Sequence, residues 1–127
     1  MLSGLQPFGP FTFVTGATAL EENCLVEIFT DGTVIKCGAD RVPIGFTQYA
    51  SAIGVTATIY QAIGEATVKC GTGGCAIGDY LKSDANGHLI CNGASGSTVN
   101  DAKTVAVARS AGTNDGDMVK VFFIHAA

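Results

Sequence analysis

Apolar and polar side chains alternate in short runs along most of the 127-residue chain. Examples are "CLVEIFTDGTVIKC", "VPIGFTQYA", "GVTATIYQA", "EATVKC", "YLKS", "HLIC", "TVAVARS" and "DMVKVFFI". Each run is rich in β-branched or aromatic residues and is broken by Gly, Asp or Asn. A period of two marks strands with one buried face, and here the strand signals recur roughly every ten residues. The pattern predicts an all-β fold: a compact β-sandwich or β-barrel of short antiparallel strands, with an extended N-terminal arm. One short helical turn is expected in "TGATALEEN", with Thr18 as its cap and Glu21 three residues later.

Two hairpins can be read at residue level. Asp31-Gly32 is a preferred two-residue loop, because both central positions need positive φ. That register sets Ile28 opposite Ile35, Val26 opposite Cys37 and Glu27 opposite Lys36. In "YLKSDANGHLIC" a two-residue loop mismatches the flanks. A three-residue loop, Ala85-Asn86-Gly87, pairs Asp84 with His88 and Leu81 with Cys91. Asp84 then opens a type I turn and Gly87 takes the left-handed position. The chain also echoes itself. Ile44-Gly45-Phe46 matches Val105-Ala106-Val107, followed by Gln48 or Arg109, Ala50 or Ala111, and Gly54 or Gly116. Two similar strand pairs would suit a pseudo-symmetric sandwich.

The first twenty residues carry no charged side chain, and Pro7 and Pro10 exclude a regular helix there. We divide the chain into an extended arm, residues 1–16, and a single β-domain, residues 17–127. Leu5, Phe8, Phe11 and Phe13 are candidate contacts with a partner, because apolar side chains in a solvated tail are costly to leave exposed.

Composition narrows the function. Only 14% of residues are charged, 47% are hydrophobic and the formal net charge is -4. The seven basic residues are scattered, so the chain lacks the basic patch that nucleic-acid binding needs. No window reaches the apolar length of a membrane span, and the N-terminus lacks a signal-peptide pattern. We expect no nucleic-acid or membrane partner, and synthesis in a cytoplasm. The five Cys, Cys24, Cys37, Cys70, Cys75 and Cys91, are expected to be reduced, although a bridge between Cys70 and Cys75 is possible.

Catalytic and metal motifs do not assemble. Gly73 to Gly78 has P-loop spacing, but Asp79 stands where a phosphate needs Lys. Ser97 in "GASGS" breaks the nucleophile-elbow pattern. His88 and His125 have no orienting partner in sequence. Asp115 and Asp117 flank Gly116 as turn formers. The "SDANGH" loop fits no calcium register, so Asp84 reads as a turn former. We expect no enzyme, no cofactor and no metal.

The segments "DGTVIKCGADRVPIGFTQ", "GEATVKC", "IGDYLKSDANGHLI" and "VAVARSAGTNDGDMVKVFFI" together resemble the capsid decoration, or cement, proteins of tailed bacteriophages. The structural turns that carry the likeness include Asp31-Gly32, Asp84 to Gly87 and Gly116-Asp117. The "NGASGSTVNDAK" stretch lies outside that pattern. The resemblance implies a homotrimer on the outer surface of the virion head, bound to the major capsid protein and bridging capsomers. The alternative is another virion β-domain, a spike or baseplate part that binds a host-surface glycan.

Overall fold

The computed structural model describes residues 10–94 and 103–124. They form β1 (Phe11–Val14), β2 (Leu25–Ile28), β3 (Val34–Lys36), β4 (Gly45–Thr47) and β5 (Thr56–Gln61). Then come β6 (Glu65–Lys69), β7 (Tyr80–Ser83), β8 (Leu89–Gly93), β9 (Ala106–Ala108) and β10 (Met118–Phe123). The strands build two five-stranded antiparallel sheets, in the orders β1-β5-β4-β2-β3 and β6-β10-β9-β7-β8. No helix occurs among the described residues. The all-β expectation therefore holds.

The second sheet repeats the first, strand for strand. Residue pairs repeat as well: Val26 opposite Gly45 matches Leu81 opposite Ala106, and Ile28 opposite Val34 matches Ser83 opposite Leu89. Isolated bridges follow suit, with Thr15 to Val34 matched by Cys70 to Leu89, and Leu20 to Ser51 by Cys75 to Gly112. The sequence echo around Gly45 and Ala106 is thus the register of a structural repeat. We call β1–β5 the first unit and β6–β10 the second. In each, the bridge after the first strand reaches the third strand and curls the sheet toward closure, which shields its edges.

Curling gives each unit an interior. In the first, Leu20, Val26, Val34, Ala57 and Ile59 cluster, with Phe13 and Ile44 packed against them. In the second, Val68, Leu81, Leu89, Val119 and Val121 share a cluster with Leu25, Cys37 and Phe46 of the first unit. The units are joined there: Phe46 stacks on Phe123 at 5.8 Å, and Leu25 N–H donates to Gly87 O at 2.8 Å. Gly87 permits this approach, since a Cβ there would lie 2.5 Å from Leu25 O.

Two local readings need correction. Asp31-Gly32 is part of a three-residue loop with Thr30: Phe29 N–H bonds Thr33 O at 2.8 Å and Gly32 N–H bonds Phe29 O at 2.9 Å. Glu27 therefore faces Ile35 and Ile28 faces Val34. Only Gly32 has positive φ (84°), whereas Asp31 keeps ordinary backbone geometry and accepts the Thr33 N–H through Oδ1 at 3.0 Å. Accepting from a backbone N–H two residues on is the local bond Asp favours in turns. Buried Glu27 is paired with Arg41 Nε at 2.8 Å and Gly38 N–H at 2.8 Å, not with Lys36.

Next, "TGATALEEN" forms no helical turn. Thr18 Oγ1 instead accepts the Lys36 N–H at 3.1 Å, and Leu20 bridges Ser51. Within the segment assigned to the arm, residues 11–14 form strand β1 of the first sheet. Phe11–Val14 pairs with β5 from Phe11↔Ile59 to Val14↔Thr56, because "FTFV" already alternates as a strand does. The second expected hairpin has the register read from sequence, with Leu81 opposite Cys91 and Ser83 opposite Leu89.

Candidate interaction surfaces

Several apolar side chains lie outside the cores. On the second sheet, Tyr80, Val107 and Phe122 lie side by side across β7, β9 and β10, and Phe122 is 49% exposed. On the first unit, the β2–β3 hairpin presents Ile28 and Phe29, each 46% exposed. Val14, Ile53 and Val55 are exposed near the β1 end of the first sheet. Of the four arm candidates, Phe13 packs against the first interior and Phe11 is part-exposed on edge strand β1. Leu5 and Phe8 fall outside the described residues.

A polar groove of about 390 Å³ runs between the units, lined by Asn23, Gln48, Tyr49, Glu65 and Thr67 over Phe46. Tyr49 is 77% exposed. Asn23 closes part of the β6 edge: its carbonyl accepts the Lys69 N–H at 2.8 Å and its Nδ2 donates to Thr67 O at 3.2 Å. Both bonds come from one residue in the left-handed conformation (φ 51°), which Asn tolerates better than most side chains.

Three segments meet at His88. Its Nδ1 lies 2.9 Å from Asp115 Oδ1 and its Nε2 lies 3.3 Å from Glu21 Oε1. A carboxylate only accepts, so a ring N–H donates wherever one of these contacts is a hydrogen bond. The imidazole is buried, and Glu21 also reaches Lys69 at 3.2 Å and Lys36 at 3.7 Å. Sequence reading missed this cluster because its partners come from the β1–β2 connection, the β7–β8 hairpin and the β9–β10 turn. Asp84, His88 and Asp115 bring one potential ligand atom each within 4.8 Å of one another, so they could hold a divalent cation. Asp84 Oδ1 already accepts the N–H groups of Asn86 (2.8 Å) and His88 (3.0 Å), which is turn-forming work. Gly116 has positive φ (92°), and Asp117 Oδ2 caps the N–H groups of Thr113 (3.0 Å) and Asn114 (2.9 Å). Asp79, at the rejected phosphate-loop position, accepts the Ala76 N–H at 2.8 Å.

These carboxylates make stability pH-dependent. Burial pushes the Glu21 carboxyl upward, but Lys69 and His88 together hold it below its ordinary 4.5. Thr33 holds Asp31, Lys82 holds Asp40, and the Asn114 and Thr113 N–H groups hold Asp117 below the ordinary 3.8. A carboxylate lowered in the folded state contributes stability that is present above its unfolded value and is lost as pH falls through its folded value. We expect a melting temperature that drops as pH falls below about 4. Thermal melts followed by circular dichroism check this; a melting temperature still level at pH 2.5 would contradict it.

All five cysteines are free thiols; Cys24, Cys37, Cys70 and Cys75 are buried and Cys91 is exposed. Burial pushes Cys37 up to about 11, which keeps it an unreactive thiol. Ser97 and His125 fall outside the described residues. No helix of the described residues is long and apolar enough to cross a membrane.

No protein-family model and no curated protein matches the chain. Its fold is similar to the N-terminal base of head fiber gp8.5 of bacteriophage phi29, with a TM-score of 0.76. The match covers 94% of this chain and 96% of that one, at 13% sequence identity. At that identity the likeness is one of fold.

Proposed function

We propose that this chain is a structural protein of a phage virion, a decoration protein seated on the outer surface of the head. It forms a homotrimer, contacts the major capsid protein and bridges neighbouring capsomers, without catalysis. The observation that carries this reading is the shared fold with a phage head-fiber base over 94% of the chain. The low charged fraction, 14%, and the exposed apolar side chains suit a chain that buries its flanks on assembly. Many weak contacts on one lattice then gain strength through avidity.

The test is to incubate purified protein with undecorated, expanded heads and count bound copies by electron microscopy. Regular occupancy across the lattice is expected, and it weakens when residues 2–9 are deleted. Absence of lattice binding would overturn the reading. The groove beside Tyr49 favours a second reading, a spike or baseplate domain that grips a host-surface glycan. An exposed phenol ring flanked by Asn, Gln and Glu side chains is suited to stacking and hydrogen bonding a sugar. That reading predicts a few copies at a vertex or tail instead.

A further inference from the structure

The repeat supplies an interface that the single chain leaves unused. In the first unit, the row Leu25–Phe46–Tyr60 crosses β2, β4 and β5. Leu25 and Phe46 are buried where the second unit packs, and Tyr60 packs against the same cluster. The matching row of the second unit, by strand and register, is Tyr80–Val107–Phe122. Nothing within the described chain covers Phe122, which is 49% exposed.

The covering side repeats too. The second unit reaches the first through its β7–β8 hairpin. Gly87 O accepts Leu25 N–H at 2.8 Å, Ser83 O accepts Asp40 N–H at 3.0 Å, and Ser83 Oγ donates to Cys37 O at 3.5 Å. The positions matching Ser83, Asp84 and Gly87 are Ile28, Phe29 and Gly32 of the β2–β3 hairpin, which has the same three-residue loop. Where the second unit has Ser83 and Asp84, the first has two apolar side chains, and both are exposed. The chain thus carries a part-buried receiving face with an exposed Phe122 on the second unit, and an exposed hairpin on the first.

We propose that copies of this chain join head to tail, the Tyr80–Val107–Phe122 face of one copy receiving the Ile28–Phe29 hairpin of the next. The occupant is a second copy because the chain already makes the equivalent contact with itself. Such an interface uses two different patches, so it propagates until it closes into a ring. Three copies closed this way place six similar units around one axis. The inference deepens the homotrimer part of the proposed function and does not depend on what the trimer sits on.

Two variants test it. Phe122→Asp spoils the receiving face and Phe29→Asp spoils the inserting hairpin; both residues are exposed, so the fold should survive, as circular dichroism would verify. Ile28→Lys serves as a second hairpin variant. By sedimentation velocity at ~100 μM, a concentration at which interfaces of micromolar affinity are filled, the unaltered chain should be a trimer. Each variant alone should be a monomer. An equimolar mixture of the two should form dimers, because each pair retains one intact junction. A monomeric unaltered chain, a variant that still forms trimers, or a mixture that stays monomeric would each overturn the proposal. An intact ring that ignores expanded heads would overturn the decoration reading and leave this one standing.

Discussion

Gly45→Ala is expected to abolish the folded state, costing more than about 4 kcal/mol, a large part of a typical domain's stability. Gly45 is buried at the start of β4, between Val26 and Gln61 on the flanking strands. A Cβ there would overlap the Tyr60 carbonyl and lie 2.8 Å from Ile59 Cγ2. The obstacle is backbone of the neighbouring strand, which cannot move without breaking the ladder. Ala106, the matching residue of the second unit, carries a side chain in a buried position, so the clash is local to β4. Ala106→Gly, the reverse exchange, should cost only about 1 kcal/mol. Soluble yield and the amide spectrum of Gly45→Ala would decide; a well-dispersed native spectrum would refute the argument.

His88→Ala should destabilise the chain by about 2–3 kcal/mol, because it removes a buried ring that ties three segments together. Glu21 and Asp115 are partly exposed and can rehydrate, which keeps the cost below that of a fully buried pair. Urea unfolding measures the loss. A double-mutant cycle with Asp115→Asn separates the ring's bond from its volume. Additive effects of the two substitutions would show that the 2.9 Å contact contributes nothing.

How much of this was legible in the sequence depended on range. The strands, the 84–88 turn and the echo around Gly45 and Ala106 are local signals, and they were readable. At the first hairpin, Asp31-Gly32 fits a two-residue and a three-residue loop equally well. The Asp31 side-chain bond to Thr33, invisible in a residue pattern, favours the second. Glu21 was read as a helix-cap partner because its real partners, Lys69 and His88, are distant in sequence. The surfaces were the least legible part. Alternation alone makes Phe122 a strand residue with one buried neighbour on each side; only the comparison of the two units shows that its face is covered in one and open in the other. Phe13, an arm residue by its place in the sequence, packs in part against the first interior.

Asn23 has a consequence for the life of the free protein. On the reading proposed above, the chain is made in many copies before any assembly takes it up. At such concentrations an open strand edge invites endless pairing with its own kind. Asn23 occupies the Lys69 and Thr67 positions of the β6 edge with its own amide groups. One residue thereby withholds two backbone groups of that edge from pairing with a neighbouring chain.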